Sequence, residues 1–317
     1  MSSLPAFRLI PQYHARVWGG QRLQPGAGLA EGPIGEAWIV YEHNRVADEP
    51  HRGRTLAELT AEHGLALLGR RAGNTPRFPL LIKLLDCADW LSVQVHPNDE
   101  QAERLEGAGH FGKTEAWHIL EAEPGARVIS GLKPGATKEA LAQALREGAL
   151  TDWLHYLPVE AGDTIFTRAG TIHALGPGLL LYEVQQTSDI TYRVFDWNRP
   201  PTAGRALHLE QSLAVADPAA MGQATPCPPV GDGEERLLTA CPYFALDLLA
   251  GETRPIELDT SEESFHALTV IEGQARVEGQ GWRQTLSRFE TAVIPAACGA
   301  YRVEPMGAWR ALKARVG

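Results

Sequence analysis

The sequence is poor in cysteine and has no long apolar run. Its four cysteines are spread over 317 residues without a Cys-x-x-Cys pair, so neither a disulfide framework nor a thiolate metal site is indicated. No stretch approaches the roughly 20 apolar residues that a membrane helix needs. The first residues, Met-Ser-Ser-Leu-Pro-Ala-Phe-Arg, lack the apolar core of a signal peptide. We therefore expect a cytoplasmic protein with no membrane partner.

Positive charge is also in short supply. Lysine and arginine number 29 against 39 aspartates and glutamates, which gives a net charge of −10. The basic excess that nucleic acids and anionic membrane surfaces attract is missing, so neither is an expected partner. A small anionic substrate is still compatible with this charge, because it needs only a local basic patch.

The composition describes an ordinary globular protein, with 44% hydrophobic and 21% charged residues. Its length favours two domains. Short apolar runs broken by Gly and Pro predict a mainly β fold. We predict a first domain over residues 1–225, with a helical segment around 98–157, and a smaller β domain over 235–317. The stretch rich in Pro and Gly between them reads as a linker.

Helix starts are marked by residues that can cap the first turn. Thr55, Asn98 and Thr137 each precede a helix-like pattern, and Asn98 has a glutamine at capping-box spacing. We also expect residues 153–157 to continue the helical packing after the third of these helices.

The first polar pattern of interest follows the strand predicted at Leu91–Val95. Because side chains alternate along a strand, Ser92, Gln94 and His96 share one face. A Gln-x-His pair on a strand offers two metal ligands. Taken alone, the pattern is more typical of a solvent-facing strand with an incidental histidine.

Further ligand types stand downstream. The segment 112–120 alternates as a strand, so that Lys113 and Glu115 share a face. His173 follows a tight turn at residues 169–170. Nitrogen and oxygen donors without thiolate suit zinc, although iron, cobalt, manganese and nickel remain compatible.

Four longer motifs resemble those of type I mannose-6-phosphate isomerases, in the short bacterial form, within the cupin superfamily. The matching stretches are Gln94-Val-His-Pro-Asn-Asp99, Gly112-Lys-Thr-Glu-Ala-Trp117, Gly170-Thr-Ile-His-Ala-Leu175 and Glu183-Val-Gln-Gln-Thr-Ser-Asp-Ile-Thr-Tyr-Arg-Val-Phe-Asp-Trp197. The N-terminal Trp18-Gly-Gly20 and Gly35-Glu-Ala-Trp38 are similar to that family as well. The resemblance covers roughly residues 10–210 well, and the C-terminal part only as a weak cupin-like domain.

The resemblance implies two cupin-like β-barrel (jelly-roll) domains, the second without metal ligands. It also implies one zinc ion per chain, with the ligands Gln94, His96, Glu115 and His173. Gln94 is a neutral amide and therefore a poorer ligand. Two roles stay open for it, a direct ligand or a residue that supports the ligands from beside the metal.

By the same resemblance, Arg193 matches the active-site arginine of the family. Alternatively, Arg193 pairs with Asp189 or Asp196 on the strand surface. Lys113 is expected to contact the sugar phosphate or a hydroxyl, with a surface lysine as the alternative. Ser92 is expected to donate to the phosphate.

Trp18 is expected to line the substrate site or, as the alternative we favour, to pack in the core. The general base is open between Glu183, Asp189 and a zinc-bound hydroxide.

The implied activity is the interconversion of mannose 6-phosphate and fructose 6-phosphate through a cis-enediol, with a phosphosugar as the substrate. Three alternatives remain at this point. They are an isomerase of another phosphosugar, a non-catalytic sugar-binding cupin and a metal-dependent cupin dioxygenase.

Overall fold

The computed structural model of the chain describes residues 4–23, 32–200 and 205–317, and it is mainly β, as predicted. The described strands up to residue 226 are β1 (Phe7–Arg8), β2 (Gln12–Gly20), β3 (Ile34–Val40), β4 (Leu80–Cys87), β5 (Val93–Val95), β6 (Glu115–Ala122), β7 (Arg127–Leu132), β8 (Leu154–Pro158), β9 (Thr164–Thr167), β10 (His173–Leu175), β11 (Leu179–Gln186), β12 (Tyr192–Phe195) and β13 (Ala224–Thr225).

The remaining residues form a second series of strands. These are β14 (Glu234–Ala240), β15 (Ala245–Gly251), β16 (Ile256–Asp259), β17 (His266–Glu272), β18 (Gln274–Gly279), β19 (Trp282–Ser287), β20 (Thr291–Ile294), β21 (Ala300–Pro305) and β22 (Trp309–Arg315).

The helices are short. They are α1 (Leu56–His63), α2 (Leu65–Leu68), α3 (Asp99–Glu106), α4 (Lys138–Glu147) and α5 (Leu209–Val215), with 3-10 turns at Arg70–Ala72, Leu150–Asp152 and Ala296–Cys298. Within the described ranges, no helix combines the length and the apolar content that crossing a bilayer requires.

The chain divides into two compact units, each built from separated segments. Unit A comprises residues 13–37 and 84–226, and unit B comprises residues 1–12, 38–83 and 227–317. This division differs from the predicted boundary at 225–235, since two N-terminal segments belong with the C-terminal part. Residues 1–12 belong there because β1 pairs with β20. Residues 38–83 contact the C-terminal part as well, for example through Phe78 and Phe265, whose ring centroids are 4.4 Å apart. No local pattern specifies these long-range contacts.

Unit A contains a five-stranded sheet and most of a seven-stranded sheet. Their strand orders are β12-β5-β10-β7-β8 and β13-β9-β6-β11-β4-β2-β3. An apolar cluster takes residues from both sheets, among them Trp117 and Leu181 from the larger and Val128 and Leu175 from the smaller. Side chains on these inner faces are therefore shielded from water.

The other face of the five-stranded sheet is covered by helices. Val95 and Tyr192 from this sheet form a second apolar cluster with Leu141 of α4 and Val215 of α5. Because β5 and β12 are apolar on the helix side, their alternate residues point to the inner face of the sheet.

Unit B repeats the arrangement of two sheets around an apolar core. Its sheets have the orders β1-β20-β17-β22-β15-β14 and β16-β21-β18-β19. Leu268 and Trp309 from the first sheet and Val277 and Tyr301 from the second belong to one buried cluster. Two units of this type agree with the mainly β, cupin-like class that the motifs imply.

The end of the predicted helical segment, at residues 153–157, needs a correction. Residues 98–157 hold two separate helices, α3 and α4, with β6 and β7 between them. Residues 154–158 do not continue a helix but form β8, which pairs with β7. This tertiary pairing overrides a local apolar spacing that strands and helices can share.

The three predicted helix starts are confirmed. Thr55, Asn98 and Thr137 each accept a hydrogen bond from the backbone N–H three residues on. At Asn98 the capping box with Gln101 is complete, so α3 begins directly after the segment that carries His96.

We predict that Asn98→Ala lowers the free energy of unfolding by about 1 kcal/mol, because it removes this cap. Denaturant titration measures the change. Glu103→Ala, on the exposed face of the same helix, is the control and should stay within about 0.5 kcal/mol of the parent protein. Equal stability of the two variants would contradict the role of the cap.

Candidate active site

Two sheets of unit A bring the predicted ligands together. In the five-stranded sheet, His173 of β10 lies directly opposite Gln94 of β5, so the two side chains share the inner face. His96 comes directly after β5, two residues beyond Gln94. Glu115 is the first residue of β6 in the seven-stranded sheet, with Lys113 just before it.

Three buried side chains form the centre of the site. One ligand atom from each of His96, Glu115 and His173 lies within 4.8 Å of the others. His173 Nε2 is 3.2 Å from Glu115 Oε1, and His96 Nε2 is 3.5 Å from Glu115 Oε2. This is the only such group of histidine, cysteine and carboxylate ligands among the residues that the structure describes.

Backbone contacts fix which nitrogen of each imidazole faces the centre. His96 Nδ1 donates to the carbonyl oxygen of Ile190 at 2.8 Å, and His173 Nδ1 donates to that of Thr171 at 2.9 Å. A carbonyl only accepts, so in the neutral imidazole the proton is on Nδ1. Nε2 then directs a lone pair at the centre, as a metal ligand requires.

The donor set fits a divalent cation. With its proton on Nδ1, the imidazole of His173 has no Nε2 proton to give Glu115. Glu115 Oε1 is buried without a hydrogen-bond partner in the described residues. Two facing acceptors 3.2 Å apart repel each other unless a cation lies against both. Two imidazole nitrogens and a carboxylate oxygen are ligands that zinc binds readily.

Lys113 is the cation that the chain itself supplies. Its Nζ lies 2.5 Å from Glu115 Oε2 and 3.1 Å from His96 Nε2. Burial alone would raise the pKa of Glu115, but the charge of Lys113 holds that pKa well below its usual range. Burial lowers the pKa of His96, and the charge of Lys113 lowers it further.

Burial would lower the pKa of Lys113, but the carboxylates of Glu115 and Glu183 outweigh it, and the net direction is upward. The predicted alternative of a surface lysine is therefore wrong, since Lys113 is only 3% exposed.

A second carboxylate borders the site. Glu183 on β11 lies opposite Trp117 of β6, whose Nε1 donates to Glu183 Oε2 at 3.2 Å. Its other oxygen, Oε1, is 3.9 Å from Lys113 Nζ. Asp189, another predicted base candidate, is exposed, so among the carboxylates the buried geometry favours Glu183.

The loop before β6 is held by Asp99. Its Oδ1 accepts from the backbone N–H of Gly112 and from Gln186 Nε2. Gln186 Oε1 in turn accepts from the N–H of Thr114. A Cβ on Gly112 would lie 2.5 Å from the backbone of Asn98, so only glycine allows this close approach, which positions Lys113.

Gln94 and Arg193 extend the site along the five-stranded sheet. Gln94 Nε2 donates to His173 Nε2 at 3.2 Å. In this orientation the amide is a hydrogen-bond donor, and direct ligation by Gln94 stays a prediction. Arg193 of β12 lies opposite Gln94 and therefore on the same face.

Arg193 does not form the surface ion pair considered as its alternative. Its Nη1 donates to the carbonyl oxygen of Ala206, whereas Asp196 pairs with Arg199 and Arg205. Its Nε is buried without a partner in the described part of the chain, which leaves one donor for a bound anion.

Two residues predicted to contact substrate, Trp18 and Ser92, are both buried. Trp18 is buried in the same apolar cluster as Leu91 and Trp117, a placement that supports the packing alternative. Ser92 is buried immediately before β5, and its contact with a phosphate stays a prediction.

The chain was compared with known proteins. A family model described as the catalytic domain of phosphomannose isomerase type I matches residues 6–116. Mannose-6-phosphate isomerase of Streptococcus mutans is 40% identical over 250 residues, which cover 75% of this chain and 76% of that protein. ManA, the mannose-6-phosphate isomerase of Bacillus subtilis, is 33% identical over 315 residues, covering 96% and 97%.

This chain belongs to the type I phosphomannose isomerase family. The crystal structure of the Bacillus subtilis mannose 6-phosphate isomerase matches it with a TM-score of 0.83 and 28% identity, covering 98% of this chain and 99% of that one. A mannose 6-phosphate isomerase solved with zinc bound has a TM-score of 0.75 at 19% identity, covering 98% and 99%. At that identity the second likeness shows the fold alone.

The family assignment made from the motifs is confirmed. The sequence did not reveal the clamp formed by Asp99 and Gln186. Both residues lie inside motifs that match the family, but a hydrogen bond between side chains 87 positions apart leaves no local pattern.

We predict that Lys113→Met destabilises the protein in the presence of a chelator by about 3–5 kcal/mol, because it leaves Glu115 buried without its cation. Denaturant titration measures the loss. Lys138→Met, at an exposed position on α4, is the matched control and should change stability by less than about 0.5 kcal/mol. Comparable stability of the two variants would contradict the buried pair.

Proposed function

We propose that this chain is a zinc-dependent aldose–ketose isomerase that interconverts mannose 6-phosphate and fructose 6-phosphate through a cis-enediol. The observation that carries the proposal is the buried triad of His96, Glu115 and His173, with two Nε2 lone pairs and a carboxylate facing one point. Membership of the family supports the choice of reaction and substrate.

The zinc ion would be held by His96, Glu115 and His173, with Gln94 beside them. When bound, it supplies a Lewis acid for the charge that develops on the sugar oxygens O1 and O2. The fixed tautomers of both histidines make these ligands ready without further proton movement.

The proton shift between C1 and C2 needs an acid and a base within the buried site. Glu183 is the carboxylate placed to act as base, since it lies inside the site next to Lys113. The Lys113 ammonium can donate a hydrogen bond to a sugar oxygen. Both groups are buried, which excludes water that would otherwise compete for the proton.

Arg193 is positioned to hold an anionic group. Its guanidinium is half-buried on the face that carries Gln94, and its Nε–H has no partner in the described residues. A phosphate or an enediolate oxygen can accept from this Nε–H with charge assistance. Arg193 would therefore bind the anionic part of the substrate on the sheet face that also carries Gln94.

We predict that the purified protein binds about one zinc ion per chain and loses mannose 6-phosphate turnover when a chelator removes it. Elemental analysis and a coupled assay for fructose 6-phosphate measure the two properties. His173→Ala should reduce bound zinc to well below one per chain, because it removes a ligand.

The control is His110→Ala, at an exposed position away from the triad, which should keep both zinc and activity. Full zinc content in the His173→Ala protein would contradict the assigned ligand set. Chelator-resistant turnover would contradict the role of the metal.

We predict that Arg193→Ala lowers kcat/KM for mannose 6-phosphate by about 10²–10³-fold, the usual cost of losing one donor to a charged transition state. Arg193→Lys should recover only part of the loss, because lysine lacks the planar fork. Steady-state kinetics and zinc analysis are measured together, and the zinc content should not change. Activity equal to the parent enzyme would remove Arg193 from the mechanism.

A further inference from the structure

The edge of the five-stranded sheet next to Arg193 is closed by a single residue. Among the described strands of this sheet, β12 is terminal, so its outward backbone groups pair with none of them. His208 satisfies both groups of Arg193. Its Nδ1 accepts from the Arg193 N–H at 3.2 Å, and its own N–H donates to the Arg193 carbonyl oxygen at 2.8 Å.

The same short segment holds the side chain of Arg193. The carbonyl oxygen of Ala206 accepts from Arg193 Nη1 at 2.9 Å. Arg205 donates to Asp196 Oδ2 at 2.7 Å, and Arg199 donates to Asp196 Oδ1 at 2.9 Å. Residues 205–208 thus contact the backbone and the guanidinium of Arg193 together.

His208 also begins a helix. It occupies the N-cap position of α5, yet its side chain makes no cap hydrogen bond. The imidazole is directed to β12 instead. Leu213 and Val215 of α5 pack in the apolar cluster behind β5 and β12, so His208 connects the strand to a helix that is itself fixed.

We infer that His208 is a positioning residue for Arg193, acting through an Nδ1 lone pair that holds the edge of β12. The inference rests on the proposed function, in which Arg193 binds the anionic part of the substrate. It assigns a role to a side chain outside the metal ligands and the groups that contact substrate.

The hydrogen bond from the Arg193 N–H to His208 Nδ1 is sensitive to pH, because its acceptor can be protonated. Three groups face His208, namely Arg193 and Tyr192 on β12 and Glu106 at the end of α3, which accepts from the Tyr192 hydroxyl. Burial and the charge of Arg193 lower the pKa of His208, while Glu106 raises it, and the net direction is downward. The imidazole is therefore neutral at neutral pH. A proton gained on acidification would place N–H against N–H and break the contact.

Two substitutions separate the acceptor from the rest of the side chain. Asparagine places its Oδ1 near the position of Nδ1 and does not titrate, whereas alanine removes the acceptor. We expect His208→Ala to lower kcat/KM about tenfold or more, which corresponds to about 1.4 kcal/mol, and His208→Asn to stay within about threefold of the parent. His208→Gln, whose amide reaches too far, should resemble the alanine variant.

Two further readouts test the inference: the pH profile separates it from a merely structural role, and hydrogen exchange tests the contact with β12. The acidic side of the kcat/KM profile should fall at lower pH in His208→Asn than in the parent, because the titrating acceptor is gone. Hydrogen exchange of the peptide that contains β12 should accelerate in His208→Ala and stay unchanged in His208→Asn, while other peptides keep their rates.

The hydrogen-exchange result does not depend on turnover. If the parent protein fails to convert mannose 6-phosphate, the proposed function is wrong, and the exchange comparison still decides whether His208 holds β12. Equal exchange in His208→Ala and the parent, or equal damage in His208→Ala and His208→Asn, would overturn the inference.

Discussion

A carboxylate that is fully buried needs positive charge beside it, and the site depends on how the chain meets this need at Glu115. An isolated ion in a medium of low polarity is so unfavourable that it would take up a proton instead. Lys113 and the two inward-facing imidazole nitrogens surround the carboxylate. The ammonium of Lys113 keeps Glu115 ionised, which is the form that a metal ligand must have.

The geometry of metal ligation explains why two sheets contribute to one site. Residues on a single strand face point in the same direction, whereas ligands for one ion must approach it from several sides. His173 comes from the five-stranded sheet and Glu115 from the seven-stranded sheet of unit A. The apolar cluster between these sheets excludes water, which strengthens each electrostatic contact in the site.

The sequence predicted the parts of the site that follow local rules. Alternation along a strand placed Lys113 and Glu115 on one face, and the capping pattern at Asn98 located α3. What local patterns could not predict were contacts made across long separations. The strand at 154–158 depends on pairing with β7. Residues 38–83 belong to unit B and make contacts such as that of Arg70 with Glu262, 192 positions away. His208 carries no motif of its own, because its role follows from the exposed edge of β12.

The division into units built from separated segments has one more consequence. The chain passes between unit A and unit B four times, after Gln12, Ala37, Lys83 and Pro226. No single cut therefore yields both units whole. A fragment ending at Pro226 would lack 91 of the residues of unit B, 227–317, including β20, which pairs with β1. Because the segments of the two units alternate along the chain, joining two genes end to end cannot replace one unit by that of another protein. We therefore expect both units to be inherited together.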